Sequence, residues 1–138
     1  MKLLPVALSL FYRMAPENIL EVWTQVREDD GIYHGLLELP GGKIEANETP
    51  LAAAVREVQE EVGIDIDPAT GKFMGIYTNP LPGKTILLNV FLFPDQASLI
   101  GKGKWLSITP EKLSSPYLGQ IPGPNHQIID DLYRSLYS

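Results

Sequence analysis

The chain has 138 residues, 44% of them hydrophobic, with a net charge of −6 and a pI near 4.8. A surface this acidic repels polyanions, which excludes bulk nucleic-acid binding as its main business, and the absence of cysteine excludes disulfide and thiolate chemistry. The length suits one domain spanning residues 1–138, and no apolar run is long enough to cross a membrane as a helix.

Residues 3–12 read as a first strand. A single lysine ahead of an apolar stretch imitates a short signal peptide, but Phe11-Tyr12-Arg13-Met14 brings no small-residue cleavage site, so a buried strand is the better reading. Ala15-Pro16-Glu17-Asn18 is a turn, and residues 19–27 alternate as a second strand. Residues 28–35 are polar and form a loop. Leu36-Leu37-Glu38-Leu39 is a short strand that Pro40-Gly41-Gly42 stops.

Helix signals follow in order. Thr49 can cap, Pro50 fits the first turn, and Gly63 fits the position just past the end. Leu51, Val55, Val58 and Val62 recur at helical spacing as the buried stripe. On the same helix Glu57, Glu60 and Glu61 stand at i, i+3 and i+4, which places them on one face with Cβ atoms roughly 5–6 Å apart. Three hard oxygen donors that close call for a cation, and Mg²⁺ suits them because it prefers oxygen and bridges to phosphates.

Residues 64–71 read as a connection. Strands over 73–78 and 85–93 are joined by residues 79–84, a stiff, exposed tip with two prolines and a glycine. A last short strand surrounds Trp105 at residues 104–108. Residues 115–124, with three prolines and two glycines, form an ordered loop or lid. Residues 125–137 form a closing helix with Ile128, Ile129, Leu132 and Leu136 inward. Trp23 and Trp105 read as packing residues, His34 and His126 as surface residues, and Lys102 and Lys104 as solvated loop lysines.

The run from Gly42, through Glu48, to Arg56-Glu57-Val58-Gln59-Glu60-Glu61-Val62-Gly63-Ile64 resembles the Nudix box, with five and seven residues in the two gaps and every fixed position filled. The lead-in Glu38-Leu39-Pro40-Gly41-Gly42-Lys43-Ile44-Glu45 resembles the MutT-type branch, which clears oxidised nucleoside triphosphates. The close resemblance covers about 27 residues. It implies an α/β fold, an α/β/α sandwich around a central mixed sheet in which the box forms loop–helix–loop. It also implies hydrolysis of a nucleoside diphosphate linked to another group. Under it Glu57, Glu60, Glu61 and the carbonyl of Gly41 bind Mg²⁺, with Mn²⁺ as a substitute, while Arg56 and Glu48 orient the carboxylates.

Relatives often carry an extra glutamate before the last strand as the general base. Residues 95–104 contain none, which leaves Glu57 or Glu60 in the box, or Asp95. For the substrate, Asn125 matches an asparagine that reads a purine edge, since an amide donates and accepts at once; its plain alternative is a helix N-cap. Arg27 matches a phosphate-contacting arginine, or simply pairs with Glu28 or Asp29. Glu38 and Leu39 complete the candidate substrate pocket, with Leu39 where relatives often have an aromatic. The expected activity is Mg²⁺-dependent cleavage of a purine nucleoside triphosphate to monophosphate and pyrophosphate. The alternatives are ADP-ribose or a nucleotide sugar (a branch in which Pro80 fits), RNA 5′ ends, and a non-catalytic Nudix-fold binding module. The expected setting is cytoplasmic, as a monomer or homodimer acting on a small-molecule nucleotide.

Overall fold

The computed structural model describes residues 2–27, 35–112 and 123–137. Seven strands form one sheet: β1 (Lys2–Ala15), β2 (Ile19–Val26), β3 (Leu37–Glu38), β4 (Gly41–Lys43), β5 (Lys72–Leu81), β6 (Lys84–Pro94) and β7 (Lys104–Ile108). Two helices accompany them, α1 (Pro50–Val62) and α2 (Gly123–Tyr137). The sheet is mixed: β1 and β6 run parallel, and every other pairing is antiparallel. Its main path runs β3-β2-β1-β6-β5, with β4 added to β1 and β7 to β2.

Period-two alternation in the long strands creates two separate cores. Leu8, Leu10, Leu20, Val22, Leu88 and Val90 face one way, against Ile128, Ile129, Leu132 and Tyr133 of α2. Ala7, Phe11, Trp23, Phe91 and Phe93 face the other way, against Ala53, Ala54, Val58 and Val62 of α1. One helix therefore covers each face, the expected α/β/α sandwich. Phe11 is the pivot of the second core, edge-on to Trp23 with ring centroids 6.1 Å apart and tilted on Phe93 at 5.5 Å.

Several expectations need correction. Pro40-Gly41-Gly42 does not end the strand region; Gly41–Lys43 is itself β4, paired with residues 6–8 of β1. The tip at 79–84 is much smaller, because β5 continues to Leu81 and β6 starts at Lys84. The turn is just Pro82-Gly83, with Gly83 at φ 77°, the Pro–Gly order of a type II turn. The helical stripe is also shifted: Val58 and Val62 are buried, but Leu51 and Val55 are only half-buried while Ala53 and Ala54 are fully enclosed. Small alanines let α1 lie close on the aromatic layer, which pushes the longer side chains to the rim. Finally, α2 opens at Gly123, so Asn125 lies inside its first turn and is not the N-cap residue. The loop at 28–34 with His34, and most of the expected lid at 115–124, lie outside the described residues. Among the described residues no helix is long and apolar enough to cross a membrane.

Burial separates two phenylalanines sharply. Phe11 is completely enclosed whereas Phe73 is 51% exposed. Phe11→Ala is expected to cost about 3–5 kcal/mol in a urea unfolding experiment. Phe73→Ala is expected to cost less than about 1 kcal/mol.

Candidate active site

The box is built as the sequence reading expects, one capping device at a time. Thr49 accepts a hydrogen bond from the Ala52 amide at 3.1 Å, Pro50 follows as the first helical residue, and Gly63 closes α1 at φ 79° with its amide donating to the Gln59 and Val58 carbonyls. The preceding loop folds on itself, the Glu45 amide donating to Oε1 of Glu48 at 3.0 Å.

Arg56 is the hub. Its Nε and Nη2 donate to the two oxygens of Glu48 at 2.7 and 3.0 Å, a two-pronged fork. Nη1 donates to Glu57 at 2.8 Å and to Glu60 at 3.2 Å, and Nη2 also reaches the Lys43 carbonyl at 2.9 Å. One guanidinium thus fixes the loop, the support carboxylate and two of the three box carboxylates. Arg56 holds the Glu48 carboxyl down at about 2, and the Glu45 amide adds to the effect.

Glu61 is anchored differently, its carboxylate accepting from the Gly41 amide at 3.1 Å. Much of the residue faces solvent, yet its carboxyl end is enclosed against β4. Burial there, with the neighbouring charges of Glu57, Glu38 and Glu60, pushes it up to about 7 against the pull of the Gly41 amide. A carboxyl raised in this way is relieved by nearby positive charge. The site therefore has the chemistry of a hard divalent cation site: clustered oxygens, mutual repulsion and a glycine backbone alongside. In this arrangement the carboxylates point to Arg56 and to Gly41, and among the described residues no three acidic or histidine side chains form a closed ligand cage.

The two glycines are required by close approach. A Cβ on Gly42 would sit 2.4 Å from the Glu57 carboxyl carbon, and one on Gly41 would sit 2.4 Å from the Ala7 carbonyl oxygen. Gly41 has no room for a side chain because backbone blocks it, whereas at Gly42 the end of the Glu57 side chain would have to move aside.

Two cavities lie near the box, one reaching Gly41 and the other Glu61. One, of about 230 Å³, is lined by Arg27, Glu38, Leu39, Asn79, Ile86 and Asn125. The fold thus gathers all four predicted substrate residues, from three separate stretches of chain, around one space. Arg27 donates to Glu38 at 3.2 Å across the β2–β3 pairing. Its expected bland partners Glu28 and Asp29 lie outside the described residues. The second cavity, of about 570 Å³, is lined by Gln25, Glu38, Glu61, Lys102 and Lys104. Glu38 belongs to both, so it marks the junction. Lys102 and Lys104 are exposed as expected, but they look onto this groove.

Asp95 is not part of the site. It follows Pro94, which pairs with Tyr12, and lies 3.5 Å from Arg13, whereas Gly42 beside Glu57 pairs with Ala7. Six residues along β1 separate Arg13 from Ala7, roughly 20 Å at about 3.3 Å per residue. Arg13 also stacks 3.9 Å over the Trp105 ring, so this end of the sheet is a packing cluster. Sequence reading missed Asn79, which it placed in the exposed tip. Extending the alternation past Thr78 would have found it, because half-buried Tyr77 and Asn79 share a face while Thr78 and Pro80 point away.

The Glu48–Arg56 pair sets a pH dependence. Glu48 ionises in the fold near 2, below its ordinary 4.5, so it contributes stability fully above about pH 4.5 and loses it as the pH falls toward 2. Melting curves of wild type and Glu48→Gln are expected to differ at neutral pH and to draw together across that acid range. Glycine substitution separates folding from function: Gly41→Ala, which strikes backbone, should cost roughly 1–3 kcal/mol in a denaturant melt. Gly42→Ala should displace only the end of Glu57, keeping the melt within about 0.5 kcal/mol while hydrolysis drops.

Comparison with known proteins agrees with this fold. The NUDIX domain profile matches residues 4–111. An 8-oxo-dGTP diphosphatase of Proteus vulgaris is 36% identical over 87 residues, covering 63% of this chain and 68% of that protein. The 8-oxo-dGTP diphosphatase of Escherichia coli (strain K12) is 54% identical over 44 residues, though the match spans only 32% of this chain and 34% of that one. Among solved structures, the MutT protein from Methanosarcina mazei Go1 superposes with a TM-score of 0.72 at 22% identity, covering 99% of this chain and 97% of that one. The box, the sandwich and the profile agree, and the chain belongs to the NUDIX family.

Proposed function

We propose that this chain, a Nudix pyrophosphohydrolase, converts a purine nucleoside triphosphate, oxidised forms included, to the monophosphate and pyrophosphate with Mg²⁺ as its divalent metal. The observation that carries this reading is the small cavity holding Arg27, Glu38, Leu39 and Asn125, which joins at Glu38 the groove that contains Glu61. A base held in that cavity directs its phosphates across the junction toward the box.

Glu57, Glu60 and Glu61, with the Gly41 backbone, are the groups that would hold Mg²⁺. When bound, the metal supplies charge neutralisation on the phosphate oxygens and a more acidic water. Arg56 sets the directions of Glu57 and Glu60 while remaining charged itself. Glu60 is the open one of that pair, its side chain 54% exposed against 15% for Glu57, and it takes the proton of the attacking water. The water oxygen bonds to phosphorus in line, the opposite anhydride P–O bond breaks, and pyrophosphate leaves. Arg27, oriented by Glu38, contacts a phosphate at the near side of the junction, and Leu39 packs under the base.

Other readings draw less support. Pro80 lies at the exposed end of β5, an edge strand where proline is structurally ordinary, so it carries no hint of a nucleotide-sugar substrate. All the box carboxylates are in place, which argues against a module that only binds. The deciding experiment incubates the protein and Mg²⁺ with nucleoside triphosphates, ADP-ribose, nucleotide sugars and capped RNA, and identifies the products. Monophosphate plus pyrophosphate from a purine triphosphate is expected, with kcat falling at least about 100-fold in the Glu60→Gln/Glu61→Gln double variant. Metal-stimulated cleavage that survives this change would overturn the assignment of the carboxylates.

A further inference from the structure

Two amide side chains in the smaller cavity lack partners. Asn79 comes from β5 and Asn125 from the first turn of α2; both are half-buried and both line the cavity. Neither side chain has a hydrogen-bond partner among the described residues, whereas other polar groups in the same neighbourhood do. Arg27 is paired with Glu38, and Tyr77 donates to Asp131 at 2.7 Å while Gln127 donates to the other Asp131 oxygen at 2.6 Å. Both amides are therefore free to donate and accept toward a molecule that enters this one space.

The register explains why they meet. Asn79 pairs with Ile86 and Tyr77 pairs with Leu88, and cross-strand partners point to the same side of a sheet. Tyr77 reaches Asp131, so this side is the one α2 covers. Two residues further along β5, Asn79 has moved about 7 Å. On α2, Asn125 precedes Asp131 by six residues, about 9 Å along the helix. Both displacements lead to the cavity, where the amides enter from the sheet and from the helix.

We propose that Asn79 is a specificity-determining residue which, with Asn125, grips a purine on two of its edges. This rests on the nucleotide reading of the site and names how the base is selected. At about 230 Å³ the cavity falls below the ~300 Å³ of ordinary ligand pockets, so it takes one heterocycle and not a whole nucleotide. Each amide offers an acceptor oxygen and two N–H donors. A purine carries donors or acceptors on both its six-membered and its five-membered ring edges, so it can satisfy two amides entering from different walls. A pyrimidine, with one ring, reaches only one of the two amides and gains only that amide's hydrogen bonds. Leu39 and Ile86 supply the apolar contact for the ring faces.

The test measures binding of purine and pyrimidine nucleoside 5′-monophosphates to the full chain by calorimetry, with inorganic pyrophosphate as a probe that has no base. Asn79→Leu removes the amide and keeps an apolar side chain suited to the strand, and Asn79→Asp keeps the shape while removing the donors. Wild type is expected to prefer purine monophosphates. Both variants should bind them about ten-fold more weakly, the scale of one or two lost hydrogen bonds, and should flatten the purine preference. Pyrophosphate affinity should stay the same, and KM for a purine triphosphate should rise with kcat little changed. If both variants keep the wild-type base ranking and KM while the protein still hydrolyses triphosphates, this inference falls and the functional reading stands. If wild type binds and cleaves no nucleotide, the functional reading falls and takes the inference with it.

Discussion

A single guanidinium sets up the reactive side of this molecule. Arg56 projects from α1 and ties together Glu48 in the loop before it, the Lys43 carbonyl at the end of β4, and Glu57 and Glu60 on its own helix. Without that positive charge, carboxylates held this close would repel each other and splay. The fork geometry of arginine matters as much as its charge, because a lysine ammonium could not donate along fixed directions to several carboxylates at once. The consequence is a loop and helix whose acidic groups are aimed before any substrate arrives, the kind of preorganisation that phosphoryl chemistry depends on.

The sandwich supplies the platform for that hub. β1 is the strand through which everything passes: it pairs with β6 along its length, with β4 near its start and with β2 near its end. Ala7 and Leu8 receive β4; Gly41 fits only because it has no Cβ to collide with the Ala7 backbone, and Gly42 leaves space for the end of Glu57. Even-numbered side chains of β1 build the core under α2 and odd-numbered ones the core under α1. The smaller cavity opens on the α2 side, at Leu8, Ile86 and Leu88, while the acidic helix packs on the other. Glu38 and Gly41, on the short segments between, connect the two sides, since both line the cavity and Gly41 also holds Glu61.

The box helix was legible residue by residue. Thr49, Pro50 and Gly63 are local signals whose physics does not depend on the rest of the chain, and they begin and end α1 where the sequence says. The acidic face was equally legible, because helical spacing alone brings Glu57, Glu60 and Glu61 together. The edges of the sheet were less so. Pro40-Gly41-Gly42 and the Pro-rich tip look like breakers, yet β4 and the end of β5 are strands because partners on β1 and β6 supply the hydrogen bonds that local propensity disfavours.

What the sequence determined by itself was everything carried by short-range spacing: the helix, its caps, the acidic trio, the alternation of the long strands and the family they announce. What only the tertiary structure decided was which distant residues share a space. Asp95 is separated from the box by six residues of β1, Glu38 links two cavities, and Asn79 joins Asn125 from the other side of the pocket. Those outcomes follow from strand register and from where α2 lies across the sheet. Both are set by long-range packing of the two cores, which no local run of residues encodes.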